Sequence, residues 1–143
     1  MSHAALSTRV RAGSWVLQVI VAIILGQTLF FKFSGAEEAV HIFSTLGVEP
    51  WGRYATAFAE LATVVLLLVP RLAVYGALLG LGVIAGAIVS HLTVLGIEVA
   101  DDGGLLFAMA LIVFAACATI VALRRAQLPI IGARFTRGSS AGT

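Results

Sequence analysis

The sequence predicts an all-α fold, an integral membrane four-helix bundle, on three observations. The 143 residues are 60% hydrophobic and only 11% charged, with a mean hydropathy of +1.06. A water-soluble domain needs more charged surface than this to stay dispersed. The apolar residues also gather into four runs, at 14–33, 51–69, 72–97 and 105–123. Each is near the roughly 20 residues that a helix needs to cross a ~30 Å hydrocarbon core. Finally, the basic residues stand only at the ends of these runs. The net charge of +2 and pI near 9.2 therefore fit a membrane protein with no nucleic-acid partner.

Residues 1–13 form a polar segment with Arg9 and Arg11, and the transmembrane domain occupies 14–125. The first run resembles a secretory signal, with Ser34-Gly35-Ala36 as a cleavage site, but it exceeds the roughly 7–15 residues of a signal core. It is read as span 1. From Ser34 to Gly47 the pattern changes. Ser34 and Glu37 have capping-box spacing, which satisfies free N–H groups at a helix start. Ala36, Ala39, Val40, Phe43 and Leu46 recur at helical period, opposite Glu37, Glu38, His41 and Ser44. Gly47 is placed as a stop, with Pro50 beyond. This is a short amphipathic helix between spans 1 and 2, too short and too charged to cross, so it lies in the interface.

Span 2 opens with Trp51 and Tyr54 as interface anchors. Pro70-Arg71 makes a tight turn into span 3. Glu98, Asp101 and Asp102, followed by Gly103-Gly104, form an acidic loop, and Arg124-Arg125 close span 4. A basic tail, 126–143, carries Arg134 and Arg137. With the N-terminus inside, seven basic residues (Arg9, Arg11, Arg71, Arg124, Arg125, Arg134, Arg137) are cytoplasmic and only Lys32 and Arg53 are outside. The positive-inside rule thus predicts a multi-pass plasma-membrane protein with both termini cytoplasmic.

In span 3, Gly76/Gly80 and Gly82/Gly86 each have the small-xxx-small spacing that lets helices approach closely. The two pairs point to nearly opposite faces, which predicts packing on two sides, with homo-oligomer contact as the alternative. The single cysteine, Cys117, lies in an apolar run and reads as a packing residue; no metal-ligand or CxxC spacing is present. Ser90 and Thr93 are expected to bond backbone carbonyls or neighbouring helices.

The remaining polar groups at membrane depth are the candidate site. Glu60 sits near the middle of span 2, where a carboxylate must face the bundle, pair with a cation or hold a proton. Arg53 is seven residues earlier on the same face and His91 is near the outer end of span 3. Either is a candidate partner for Glu60. Gln27, Thr28 and Lys32 occupy the outer end of span 1. Glu60, His91, Arg53, Gln27 and Lys32 are expected to line a polar pocket in the outer half, with an almost uniformly apolar inner half. The competing reading is that Glu60 and a cation only fix helix register, with Lys32 snorkelling into the headgroups.

The run Gly26-Gln27-Thr28-Leu29-Phe30-Phe31-Lys32-Phe33-Ser34-Gly35, an amphipathic segment, a Gly-x-x-Pro-like turn and a span with Ala59-Glu60-Leu61 resemble the DoxX-like family over roughly residues 15–125. Glu60 matches the second-span glutamate of that family. Lys32 precedes Gly35, a departure from the family's usual Gly and Lys arrangement. The resemblance implies a four-helix bundle in a bacterial plasma membrane, tied to quinone-linked sulfur oxidation and oxidative-stress complexes. The cysteines of the related thiol-redox enzymes are absent from this chain.

The expected function is a small accessory or scaffold subunit of a redox-associated membrane assembly, holding a quinone or another lipid-like ligand. Its partners would be the bilayer and other membrane or redox proteins. Two alternatives come from other classes: an enzyme using a Glu/His pair for proton transfer on a lipid-like substrate, and a small proton-coupled transporter, for which the single ionisable cluster and lack of an inverted repeat argue poorly.

Overall fold

A computed structural model describes residues 6–128. Among them, four long helices and one short one form the bundle: α1 (Thr8–Ser34), α2 (Glu37–Thr45), α3 (Trp51–Leu68), α4 (Ala73–Ser90) and α5 (Leu105–Arg124). A π-helical turn, His91–Leu95, extends α4, and a 3-10 turn, Arg125–Gln127, follows α5. The four long helices are long and apolar enough to cross a membrane, and the chain is a multi-pass membrane protein. The expected tail beyond residue 128 lies outside the described residues.

The helices form a ring in which α1 packs on α3, α3 on α4, α4 on α5, and α5 back on α1. Each neighbour runs antiparallel to the last, as short connections require. Val21, Leu25, Leu67, Ala77, Ile84, Val113, Cys117 and Ile120 fill the centre. Large apolar side chains cover the outside, among them Ile23, Phe30, Phe58 and Leu92, each more than 60% exposed. Such a surface suits hydrocarbon. In lipid, apolar side chains gain little by leaving the solvent, so close packing and interhelical hydrogen bonds hold the helices together.

Close packing is concentrated in one glycine pair of α4. A Cβ on Gly76 would stand 2.7 Å from the Leu67 nitrogen, and one on Gly80 would stand 2.9 Å from Cys117 Sγ and 3.1 Å from Thr63. These positions let α4 lie against α3 and α5, and Cys117 is the packing residue expected. Gly82 and Gly86 differ: a Cβ on either meets nothing within 4 Å. The expectation of packing on two sides fails there: Gly82 lies some 200° round the helix from Gly80, as expected, but among the described residues no side chain packs against that face.

The short amphipathic helix is present as α2, with Ala39 and Phe43 buried and Glu37, Glu38, His41 and Ser44 exposed. Its start differs from the capping-box reading. α1 runs on through Ser34 and ends at Gly35, whose φ of 67° is the left-handed conformation that favours glycine. Ser34 Oγ then donates to the Phe31 carbonyl, and α2 begins after Ala36 with no side-chain cap. α2 touches α1, α3 and the π-helical turn, so it lies across one end of the bundle. At that same end, Asp102 anchors the start of α5: its carboxylate accepts from the N–H groups of Val99, Gly104 and Leu106 at 3.0, 2.9 and 2.9 Å.

Candidate functional site

α3 and α4 touch near their connecting turn, at Gly76 and Gly80. Toward the α2 end the helices enclose a cavity of about 580 Å³, within the usual size range of small-molecule sites. α2 roofs it with Ala39, Ile42 and Phe43; α1 contributes Leu25, Thr28 and Lys32, α3 contributes Thr56, Ala59 and Glu60, and the π-helical turn after α4 contributes His91. Most of the wall is apolar. The polar groups are few and converge from three helices.

Glu60 is 4% exposed, and its partner is neither Arg53 nor His91 but Lys32. Lys32 Nζ stands 2.7 Å from Oε1 and 2.9 Å from Oε2. Thr28 Oγ1 lies 3.0 Å from Oε2 and 2.9 Å from the Leu25 carbonyl, so one hydroxyl proton serves two acceptors. The geometry follows from α1. Ser14, Gln18, Val21, Leu25 and Leu29 form its buried stripe, and Lys32 is the next residue on it. Lys32 thus points into the bundle, with its side chain only 14% exposed, instead of snorkelling outward. That stripe was readable in the sequence.

Arg53 is buried but serves a different purpose. It pairs with Glu49, Nη2 to Oε1 2.8 Å, stacks 4.5 Å over the Tyr54 ring, and donates to the Lys32 main-chain carbonyl. That carbonyl is among the last of α1, which lack helical partners. Arg53 therefore ties α3 to the end of α1 beside the cavity. Gln27 is not part of the site: it is exposed on the outer face of α1, two positions from the buried Leu25 and Leu29.

His91 is 6% exposed and lines the cavity. Its Nδ1 is 2.8 Å from the Gly96 carbonyl, and its ring packs edge-on against Phe107 at 5.5 Å. A carbonyl only accepts, so Nδ1 carries the proton of the neutral ring and Nε2 is left as an acceptor. Among the described residues Nε2 has no hydrogen-bond partner. The Asp102 carboxyl lies in the same end loop. Burial pushes it up, but three backbone N–H groups and the nearby His91 outweigh burial and hold it below its ordinary range. Ser90 and Thr93 bond the Gly86 and Val89 carbonyls, as expected.

The opposite end of the bundle is not uniformly apolar, which corrects the sequence reading. Arg124 is 2% exposed there, with Ser14 and Gln18 fully buried. Its guanidinium donates to Ser14 Oγ at 2.6 Å, to Gln18 Oε1 at 3.0 Å and to the Pro70 carbonyl at 3.0 Å. Ser14 in turn donates to Gln18 Oε1 at 2.6 Å, and Gln18 donates to the Leu67 carbonyl. Three segments are joined: α1, α5 and the α3–α4 turn. Arg124 resembled an ordinary flanking arginine; the i,i+4 spacing of Ser14 and Gln18 on the α1 stripe was the signal that could have exposed it.

Compared with protein-family models, curated proteins and solved structures, the chain matches none of them. The site therefore has to be interpreted from its own geometry.

Proposed function

We propose that this membrane protein binds a lipid-like molecule in the cavity beside Lys32, Glu60 and His91. In this reading the cavity lies in the outer half of the plasma membrane and both termini are cytoplasmic, which the distribution of basic residues supports. The carrying observation is the cavity itself, mostly apolar and lined by a buried ion pair. Buried ionisable groups at membrane depth are costly and mark sites. A role as an accessory or scaffold subunit of a redox-associated assembly, with a quinone as the ligand, is supported by the DoxX-like resemblance alone. The residues meet a quinone halfway. Lys32 directs two of its three protons to Glu60 and keeps one for a carbonyl oxygen. His91 offers a second donor only as imidazolium, because its Nδ1 proton goes to Gly96.

Binding is favoured over proton-transfer catalysis by the state of Glu60. Its two oxygens already receive Lys32 and Thr28, so neither is free of a donor to take a proton from a substrate. The test is purification from native membrane into nanodiscs, with mass spectrometry of the lipids, quinones and proteins that follow. Wild type should retain a lipid-like species that Ala59→Phe, which fills the cavity, does not. Identical lipid complements on two folded proteins would sink the proposal.

A further inference from the structure

The cavity has a side door. Ala55 of α3 and Gly82 and Gly86 of α4 line it while being exposed on the lateral surface of the bundle. They border a cleft between α3 and α4, and among the described residues no atom stands within 4 Å of a Cβ on either glycine. A leucine at either position would project into this cleft. The cleft opens where the flanking surface is apolar, with Phe58 61% and Val89 57% exposed on the same two helices. It communicates with hydrocarbon.

The charges inside the cavity sum to nothing usable by an ionic headgroup. Lys32 is neutralised by Glu60 at 2.7 Å, and the remaining charged residue of the wall is Glu38, an exposed carboxylate on α2. What is left to meet a ligand is one ammonium N–H of Lys32 and Nε2 of His91, a residue more than nine-tenths buried whose Nε2 makes no hydrogen bond among the described residues. An anionic headgroup would find no free cation and would face Glu38; a cationic one would compete with Lys32 for Glu60. An uncharged headgroup with a hydroxyl, which accepts from Lys32 and donates to Nε2 of His91, satisfies both walls without leaving an unpaired charge in low dielectric.

Resting on the cavity reading above, we infer that the ligand is an uncharged-headed lipid that enters sideways from the bilayer, its chain lying in the α3–α4 cleft over Gly82 and Gly86. The experiment uses the full chain in nanodiscs and two probes with the same acyl chain, 1-oleoylglycerol and 1-oleoyl lysophosphatidate, with binding read by native mass spectrometry. Variants are Gly82→Leu, Gly86→Leu and, as a control on an exposed glycine outside the cavity, Gly26→Leu. Wild type should bind the glycerol lipid about tenfold more tightly than its phosphate counterpart, since the phosphate brings an unpaired charge. Gly82→Leu and Gly86→Leu should each weaken it about tenfold while Gly26→Leu stays within about twofold, as expected of a side chain placed across a hydrophobic channel. Equal or tighter binding of the phosphate lipid overturns the uncharged headgroup. Unchanged binding by both cleft variants, with Ala59→Phe still abolishing it, overturns side entry and leaves the cavity reading standing. Binding of the glycerol lipid that Ala59→Phe leaves intact overturns both.

Discussion

Lys32 of α1 and Glu60 of α3 meet at 2.7 Å inside the bundle, 28 residues apart in the chain, with Thr28 completing the contact from one turn earlier on α1. Breaking such a pair from one side strands a charge, whereas removing both partners need not. Glu60→Gln alone should therefore destabilise the protein by about 3–5 kcal/mol. Glu60→Gln combined with Lys32→Met should recover most of that loss and still fail to retain a lipid. Thermal unfolding in detergent beside lipid analysis checks both halves. A double variant that unfolds like the single one would show that the pair's effect is not electrostatic.

Arg124 bridges α1, α5 and the α3–α4 turn through three hydrogen bonds to neutral acceptors. At roughly 0.6 kcal/mol for each interhelical bond in a membrane, Arg124→Leu should cost about 2 kcal/mol. Arg124→Lys should recover little, because an ammonium on a flexible stem cannot reproduce the planar fork that reaches Ser14, Gln18 and Pro70 together. Unfolding midpoints for the two variants decide the matter, and a lysine variant at wild-type stability would show that charge alone suffices.

Asp102 should make the protein acid-sensitive. Its carboxyl titrates below the ordinary range in the folded state, so its contribution is complete above the unfolded value of about 3.9 and is lost as pH falls through the folded value. Wild type should lose thermal stability as pH falls from about 4 toward the folded value. Asp102→Asn, already weaker at neutral pH, should lose less over the same interval. Parallel curves would assign the acid transition to other groups.

Orientation is tested by reporter fusions. Fusions after Gly47 and Gly103 should report the outside, and fusions after Arg71 and Thr143 the cytoplasm, because seven of the nine Lys and Arg residues then lie inside. A C-terminus reporting outside would move the cavity to the other leaflet.

The spans were legible in the sequence because each is a continuous apolar run. Run 51–69 became Trp51–Leu68, and run 105–123 became Leu105–Arg124. α1 began earlier than its apolar run, at Thr8, since polar residues extend a helix beyond hydrocarbon without changing its backbone pattern. Glu60, His91 and Lys32 were expected in one pocket and do line one cavity, but the pairing was not foreseen, because same-helix spacing drew attention to Arg53 while the partner came from another helix. Gln27 was misplaced by counting depth without counting face. Gly82 and Gly86 carried a packing spacing but border an opening: a sequence records that a residue is small, not whether a neighbour or a void lies against it. The π-helical turn that turns His91 toward Gly96 had no sequence signal we could read.

The contact between Ser14 and Arg124 spans 110 positions, nearly the whole described chain. During synthesis, Ser14 and Gln18 therefore enter the bilayer long before the guanidinium that satisfies them has been made. Until α5 arrives, their side chains have only each other and the Leu67 carbonyl at the end of α3. Arrival of the final span closes the ring and completes the polar network in one step. A chain truncated before Arg124 lacks this closure, so its unfinished state is chemically distinct from the mature one at the very end where synthesis occurs in the proposed orientation.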